Sequence, residues 1–321
     1  VLFNLCLINL GQVSVAESLT PLIDYMRQSL SKCGHEVTVS HEHLTADGIN
    51  LFFEGFHIPE FVDQLIQFKK KQGLRFGLIA TELMQAEEIP YAKHGVIYPA
   101  HINKTDALKL RMSGFSAVAT EADFVWSFLK RTTTYSKKFN AASYHYPVGY
   151  VQHLGAALRR SPKDIDVLFF GGRTPHRERI LKKLADSGIS VMAIGRGFPS
   201  GVLPTPLLHS LLDRAKIGLN LTLESEPTAS GIDPRFVSCM RVVEMLDREL
   251  LVVSEDIPHD NPYKEYMVSA TADDLAVCIK DILQSESWTH LGCLNAAKYR
   301  EKMDVKHICQ PVIDETIKAL R

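Results

Sequence analysis

What this chain of 321 residues lacks already narrows its function. It has no long hydrophobic run. The apolar opening, VLFNLCLINLG, is too short to span a bilayer and lacks the basic start and cleavage site of a signal peptide. It reads as a first strand, and no membrane span is expected. The six cysteines are scattered without a CxxC pair, which removes the zinc-ribbon and zinc-finger spacings. Such isolated thiols suit a reducing compartment, so the expected location is cytoplasmic. There is no excess charge of either sign: 36 basic residues face 37 acidic ones, for a net charge of −1. A general polyanion-binding surface is therefore not indicated, and only a local basic cleft remains open. No G-x-G-x-x-G follows the first strand of either half, which ranks a dinucleotide-dependent oxidoreductase low. No DxD lies at a strand end, and His41 and His43 are parted by Glu42 on a segment that alternates faces, so no metal site and no cofactor are expected.

What is present is an alternation of short apolar runs with amphipathic stretches, the pattern of mostly parallel sheets covered by helices. Strands are expected at 2–8, 36–40, 50–53, 75–80 and 116–119. Helices are expected from Ser14 to about Cys33, from Pro59 to about Lys71, at 104–112 and at 122–130. The segment 146–166 carries proline, glycine and charge and breaks the rhythm. The pattern then restarts, with strands at 167–170, 190–194, 217–222 and 250–254 and helices at 176–187, 206–214, 237–247 and 272–284. This gives two Rossmann-like α/β domains facing a cleft, residues 1–150 and 151–321, with the last helix packing back on the first domain.

Asp166 to Arg179, DVLFFGGRTPHRER, carries the strongest signal. A buried strand stops at Gly171–Gly172, and Thr174–Pro175 starts a helix. Glycines admit a close approach to the backbone, and helix-start amides favour an anion. Arg173, His176 and Arg177 add positive donors there. In open α/β sheets ligands sit outside the carboxyl ends of the strands. The other ends of this half are Gly195–Arg196–Gly197, Asn220 with Thr222 and Glu224, and Ser254–Glu255–Asp256. The helix ending at Asp247 places Arg241 and Glu244 one turn apart on one face. A carboxylate there suits the paired hydroxyls of a ribose. The same spacing also suits a surface salt-bridge ladder of Arg241, Glu244 and Arg248.

DVLFFGGRTPHRERILKKL, GLNLTL, RVVEML and LLVVSED together resemble the donor-binding half of a GT-B glycosyltransferase. The likeness is to the CgeB-like (spore maturation protein) group, related to family-4 glycosyltransferases, and with the upstream YPVGY it covers about residues 146–270. The resemblance implies a metal-independent transferase that moves a sugar from a nucleotide-diphosphate donor, UDP-sugars first, to an acceptor hydroxyl in the inter-domain cleft. It implies that Gly172, Arg173 and Arg241 contact the diphosphate and that Glu244 takes the ribose-binding place. Gly171, Thr174, Gly195, Arg196 and Asn220 complete the expected donor site. One departure stands out: Phe236 occupies the position of the family's sugar-contacting glutamate, and Glu224, Glu226 or Asp233 would have to replace it. Arg173 is the expected stabiliser of the leaving diphosphate, with Arg196 and Arg235 assisting. Glu82 and His57, with His101 as a third candidate, are expected general bases in the first half. The acceptor stays open among glycan, lipid, protein, small molecule and modified nucleic acid. A non-catalytic nucleotide-sugar-binding protein on the same scaffold is the alternative.

Overall fold

The computed structural model describes residues 1–7, 13–41, 43–53, 56, 58–81, 83–85, 104–152, 161–224, 233–235, 239–258 and 261–321, with side chains from residue 19 in the first helix and 109 in the third. The chain divides into two compact units, residues 1–151 with 305–321, and residues 152–304.

The first unit runs β1 (Leu2–Leu7), α1 (Val13–Lys32), β2 (Glu36–His41), β3 (Ile49–Phe52), α2 (Pro59–Gln72), β4 (Phe76–Ala80), α3 (Lys104–Glu121), β5 (Phe124–Ser127), α4 (Lys130–Ser136) and β6 (Ser143–His145). The six strands form one sheet in the order β2-β1-β3-β4-β5-β6, and every pairing is parallel. Parallel strands need crossovers, and the right-handed hand of these places helices on opposite faces where the order reverses between β1 and β3. All residues of β3, β4 and β5 are accordingly buried. Trp126, Phe52 and Phe53, apolar in sequence, lie in this core.

Local sequence sets the helix ends. Pro59 opens α2 with a φ already helical and no N–H to leave unpaired, and Gly73 closes it in the left-handed conformation at φ 64°. Lys69, Lys70 and Lys71 fill its last turn, facing the negative end of the helix dipole.

Two expectations fail here. Residues 116–119 are not a strand but the last part of α3, and 122–130 is not a helix but contains β5. Gly114, mid-helix, is required because a Cβ there would stand 1.9 Å from the Phe56 carbonyl oxygen. The helix thus runs flush against residue 56, and its glycine is a contact point rather than a stop signal.

The second unit runs β7 (Ile165–Phe170), α5 (Pro175–Asp186), β8 (Val191–Ile194), α6 (Thr205–Arg214), β9 (Ala215–Asn220), α7 (Cys239–Asp247), β10 (Leu251–Glu255), β11 (Val268–Ala270), α8 (Leu275–Gln284) and α9 (Trp288–Lys302). Its five strands are all parallel, in the order β11-β10-β9-β7-β8. The order reverses between β7 and β9, which makes their carboxyl ends the switch point of the sheet. Val167, Phe169, Ile217, Leu219, Leu251 and Val253 form the core beneath it.

The chain ends with α10 (Val305–Ile308) and α11 (Gln310–Ala319), which belong to the first unit. The Val305 amide donates to the Tyr150 carbonyl at 3.3 Å, and the Trp126 indole donates to Thr316 Oγ1 at 2.9 Å. Among the described residues, no helix is long and apolar enough to cross a membrane.

Candidate functional site

At the carboxyl ends of the neighbouring strands β7 and β8 the two glycine turns pack backbone on backbone. Gly171, at φ 153°, donates its amide to the Ile194 carbonyl at 2.9 Å. Gly195, at φ 126°, lies so close that a Cβ on it would stand 2.2 Å from the Gly171 carbonyl oxygen. A Cβ on Gly171 would in turn stand 2.6 Å from Arg241 Nη2. The glycines expected from sequence to admit a ligand therefore also admit an arginine.

Thr174 caps α5: its Oγ1 accepts from the Arg177 amide at 3.2 Å and donates to the Leu223 carbonyl at 3.0 Å. Such a cap contributes about 1 kcal/mol. Its hydroxyl is thus engaged within the fold rather than held out for a phosphate. Arg177 is buried and spends its guanidinium on three main-chain carbonyls: Nη1 to Gly172 at 2.7 Å, Nη2 to Leu221 at 2.8 Å and Nε to Thr222 at 2.9 Å. It fastens the carboxyl ends of β7 and β9 to each other.

Arg241, on α7, comes to the same place. Its Nη1 donates to Asn220 Oδ1 at 3.2 Å and to the Leu221 carbonyl at 3.3 Å, while Nη2 faces the Gly171 turn with no hydrogen-bond partner among the described residues. Asn220 is held from behind by Ser254 Oγ at 2.9 Å. Burial, with the like charge of Arg241 second, pulls the Arg177 guanidinium down to about 8, against the opposing pull of Glu255. Burial likewise pulls Arg241 down to about 10, opposed by Glu244. Two desolvated cations side by side favour an anion next to them.

Glu244 is 6% exposed and makes no hydrogen bond among the described residues. Burial pushes its carboxyl up to about 7, against the pull of Arg248 and Arg241 and with the help of Asp247. The surface salt-bridge ladder is excluded, because Arg241, Glu244 and Arg248 are all buried and Arg248 pairs with Asp213 at 2.6 Å.

The remaining expected residues divide. Arg173 turns away: its guanidinium pairs with Glu178 and reaches the Gly197 carbonyl at 3.3 Å, half-exposed. Arg196 is exposed beyond the edge strand β8, separated from β9 by β7. Asp233 is held by Arg235 through both carboxylate oxygens. Glu224 is partly buried. Glu82, His57, His101, Glu226 and Phe236 lie outside the described residues. Among the described residues, no group of three or more histidine, cysteine, aspartate or glutamate side chains is placed to hold a metal.

One pair escaped the sequence reading. His176 Nε2 lies 3.0 Å from both oxygens of Glu255, and Glu255 Oε2 also accepts from the Thr222 amide at 2.9 Å. Arg179 Nη2 lies 3.1 Å from His176 Nδ1. A guanidinium only donates, so Nδ1 accepts and Nε2 carries the proton given to Glu255. His176 therefore serves the end of β10 rather than a phosphate. The pair is 79 residues apart, and no local spacing marks it.

No protein-family model matches the chain, and no curated protein sequence does. Solved structures do. A DNA-modifying β-glucosyltransferase, solved with and without uridine diphosphoglucose, is 13% identical with a TM-score of 0.57, the match covering 99% of both chains. AviGT4, a glycosyltransferase of avilamycin A biosynthesis, is 11% identical with a TM-score of 0.57, covering 100% of this chain and 98% of its own. TarM is 12% identical with a TM-score of 0.54, and the match takes in 84% of this chain and 55% of TarM. Two parallel α/β sheets of these orders, matched along their length by such structures, give the chain the GT-B fold.

Proposed function

We propose that the protein is a glycosyltransferase that takes a nucleotide-diphosphate sugar, UDP-sugars first, and moves the sugar to an acceptor hydroxyl without a metal ion. One observation carries this reading. At the switch point of the second sheet two buried guanidiniums adjoin a glycine turn, and a buried carboxylate with no hydrogen bond among the described residues lies one helical turn beyond. Arg241 Nη2 offers the diphosphate a free donor beside the Gly171–Gly172 backbone. Arg177 holds the turn in shape and adds its charge. Glu244 accepts the two ribose hydroxyls, which restores the hydrogen bonds its burial removes.

As the bond to the anomeric carbon breaks, negative charge grows on the departing diphosphate. Fixed, desolvated guanidiniums stabilise that charge without reorganising, the work a metal does in other transferases. In this reading the first unit binds the acceptor, with Glu82 or His57 as the base. The likeness to a UDP-glucose-binding structure supports the choice of donor, and the CgeB-like resemblance rests on the motifs of residues 146–270 alone.

The test is calorimetric titration with UDP, GDP, ADP and dTDP, followed by release of the nucleotide from the matching sugar donor. A diphosphate that binds and whose sugar conjugate is hydrolysed supports the transferase. Binding without release of the sugar points to the non-catalytic reading, which the engagement of Asp233 by Arg235 favours. Silence towards all four diphosphates would overturn the site.

A further inference from the structure

Arg248 follows the last turn of α7, at the opposite end of that helix from the glycine turn. Its side chain is 2% exposed. Nη1 donates to Asp213 Oδ1, on α6, at 2.6 Å. Nη2 is fully enclosed and has no hydrogen-bond partner among the described residues. Glu244 lies four residues earlier, in the order, carboxylate before cation, that favours attraction along a helix. Of the charges acting on Glu244, Arg248 is the largest, ahead of Arg241, with Asp247 opposing both.

Apart from Asp213 and Asp247, the charged groups around this pair are damped by burial or engaged elsewhere. From α6, His209 is pushed down to about 4 by burial and by Arg248, so it adds no charge at neutral pH. Ahead of β7, Lys163 is lowered by burial. From α9, Arg300 takes the Glu249 carboxylate at 2.7 Å and the Asp247 carbonyl at 2.9 Å. From β9, Asn220 is bound to Arg241, and at the end of β10 Glu255 is bound to His176. A buried Arg–Asp pair is weak as a stabiliser, because desolvation cancels most of its attraction and apolar side chains could fill the space. What such a pair adds is a fixed charge.

We propose that Arg248, held by Asp213, is a positioning residue of the donor site: it acts through Glu244, supplying from one turn further along the same face the counter-charge that favours the ionised carboxylate for the ribose hydroxyls. The proposal rests on the reading of Glu244 as the ribose ligand.

The test begins without ligand. The protein is labelled with glutamate carrying carbon-13 in its carboxyl group, and Glu244 is assigned by the resonance lost in Glu244→Gln. In Arg248→Met the titration midpoint of Glu244 should rise by about one unit or more. In Asp213→Asn, which leaves Arg248 with Glu244 as its remaining anion, it should fall. A purely structural disturbance would move both in the same direction. Arg248→Lys keeps the charge and should hold the midpoint near that of the wild type, which keeps the test open if Arg248→Met does not fold. An unchanged midpoint in Arg248→Met, or shifts of one sign in Arg248→Met and Asp213→Asn, overturns the proposal. UDP affinity is then measured at pH 6.5 and pH 9. Arg248→Met should bind about tenfold more weakly than wild type at pH 6.5 and nearly equally at pH 9, since a one-unit shift is a tenfold change in ionisation. If the wild type binds no nucleotide, the donor reading falls, while the titrations still decide whether Arg248 governs Glu244.

Discussion

Arg177 and Arg241 lean on one phenyl ring, their guanidinium carbons 5.3 and 5.5 Å from the centroid of Phe169. Each gains from the face of the ring. Each also repels the other, and both are out of water. Their hydrogen bonds separate their roles. Arg177 serves three carbonyls and shares only that of Leu221 with Arg241, whereas Arg241 keeps Nη2 without a partner among the described residues, beside the glycine turn.

The paired substitutions should therefore behave oppositely. Arg177→Met strands the Gly172 and Thr222 carbonyls, leaves that of Leu221 to Arg241 alone, and should cost about 2 kcal/mol or more of stability. Arg241→Met removes a like charge along with its hydrogen bonds, so its stability should stay within about 1 kcal/mol of the wild type. Its affinity for a nucleoside diphosphate should drop by roughly ten- to a hundredfold, the worth of one charged hydrogen bond. Denaturant unfolding and calorimetry measure the two effects. Equal destabilisation by both substitutions would end this division of labour.

The raised Glu244 carboxyl makes stability depend on pH. In the unfolded chain it titrates near its ordinary value of 4.5, and in the fold at about 7. Between those values the folded state holds a proton that the unfolded state has lost, so stability falls as pH rises through that window. Above it the cost is on the order of 3 kcal/mol. Glu244→Gln removes the ionisation, so this variant should be the more stable protein at pH 8 while the two converge at pH 4. Melting curves across that range check it. Nucleotide affinity should run the other way in the wild type and strengthen as pH rises through 7, because only the carboxylate accepts both ribose hydroxyls.

The sheets were legible because parallel strands are buried on both faces and stand out as apolar runs between helices. The run Val167–Phe170, which the structure extends back to Ile165, and the Thr174–Pro175 helix start needed only local chemistry. Phe124–Ser127 was misread because a short apolar run fits a helix or a strand equally well. Ser143–His145 and Val268–Ala270 were missed because three residues carry no period. Gly171, Asn220 and Arg241, expected from their positions at strand and helix ends, lie together at one place in the fold. The work of Arg177 and the bond between His176 and Glu255 were not legible, because both depend on which strands become neighbours.

Gly195 tests the backbone packing of the two turns. In Gly195→Ala the new methyl meets the Gly171 carbonyl, which is main chain and has no rotamer by which to yield. The positive φ of 126° adds strain. The substitution should cost about 1–3 kcal/mol as an overpacked site, which lowers the melting temperature by roughly 3–10 °C in a unit of this size. Diphosphate affinity should fall with it, since the displaced Gly171 turn lines the site. A variant that melts and binds like the wild type would show that the turns do not touch in solution.

Arg173 separates what sequence position suggests from what the side chain does. It follows the glycine turn directly, where a phosphate ligand is expected, yet its guanidinium pairs with Glu178 and lies over Gly197. That pair is half-exposed, and solvent screens such pairs until they add little to stability. Arg173→Ala should therefore leave unfolding almost unchanged and weaken diphosphate binding by less than about threefold, well short of the loss expected at Arg241 from a buried charged hydrogen bond. Calorimetry on both variants under one buffer and salt condition makes the comparison direct. If Arg173→Ala binds as poorly as Arg241→Met, the arginine leaves Glu178 when donor arrives, and Glu178→Gln, which frees it in advance, should then bind more tightly than the wild type.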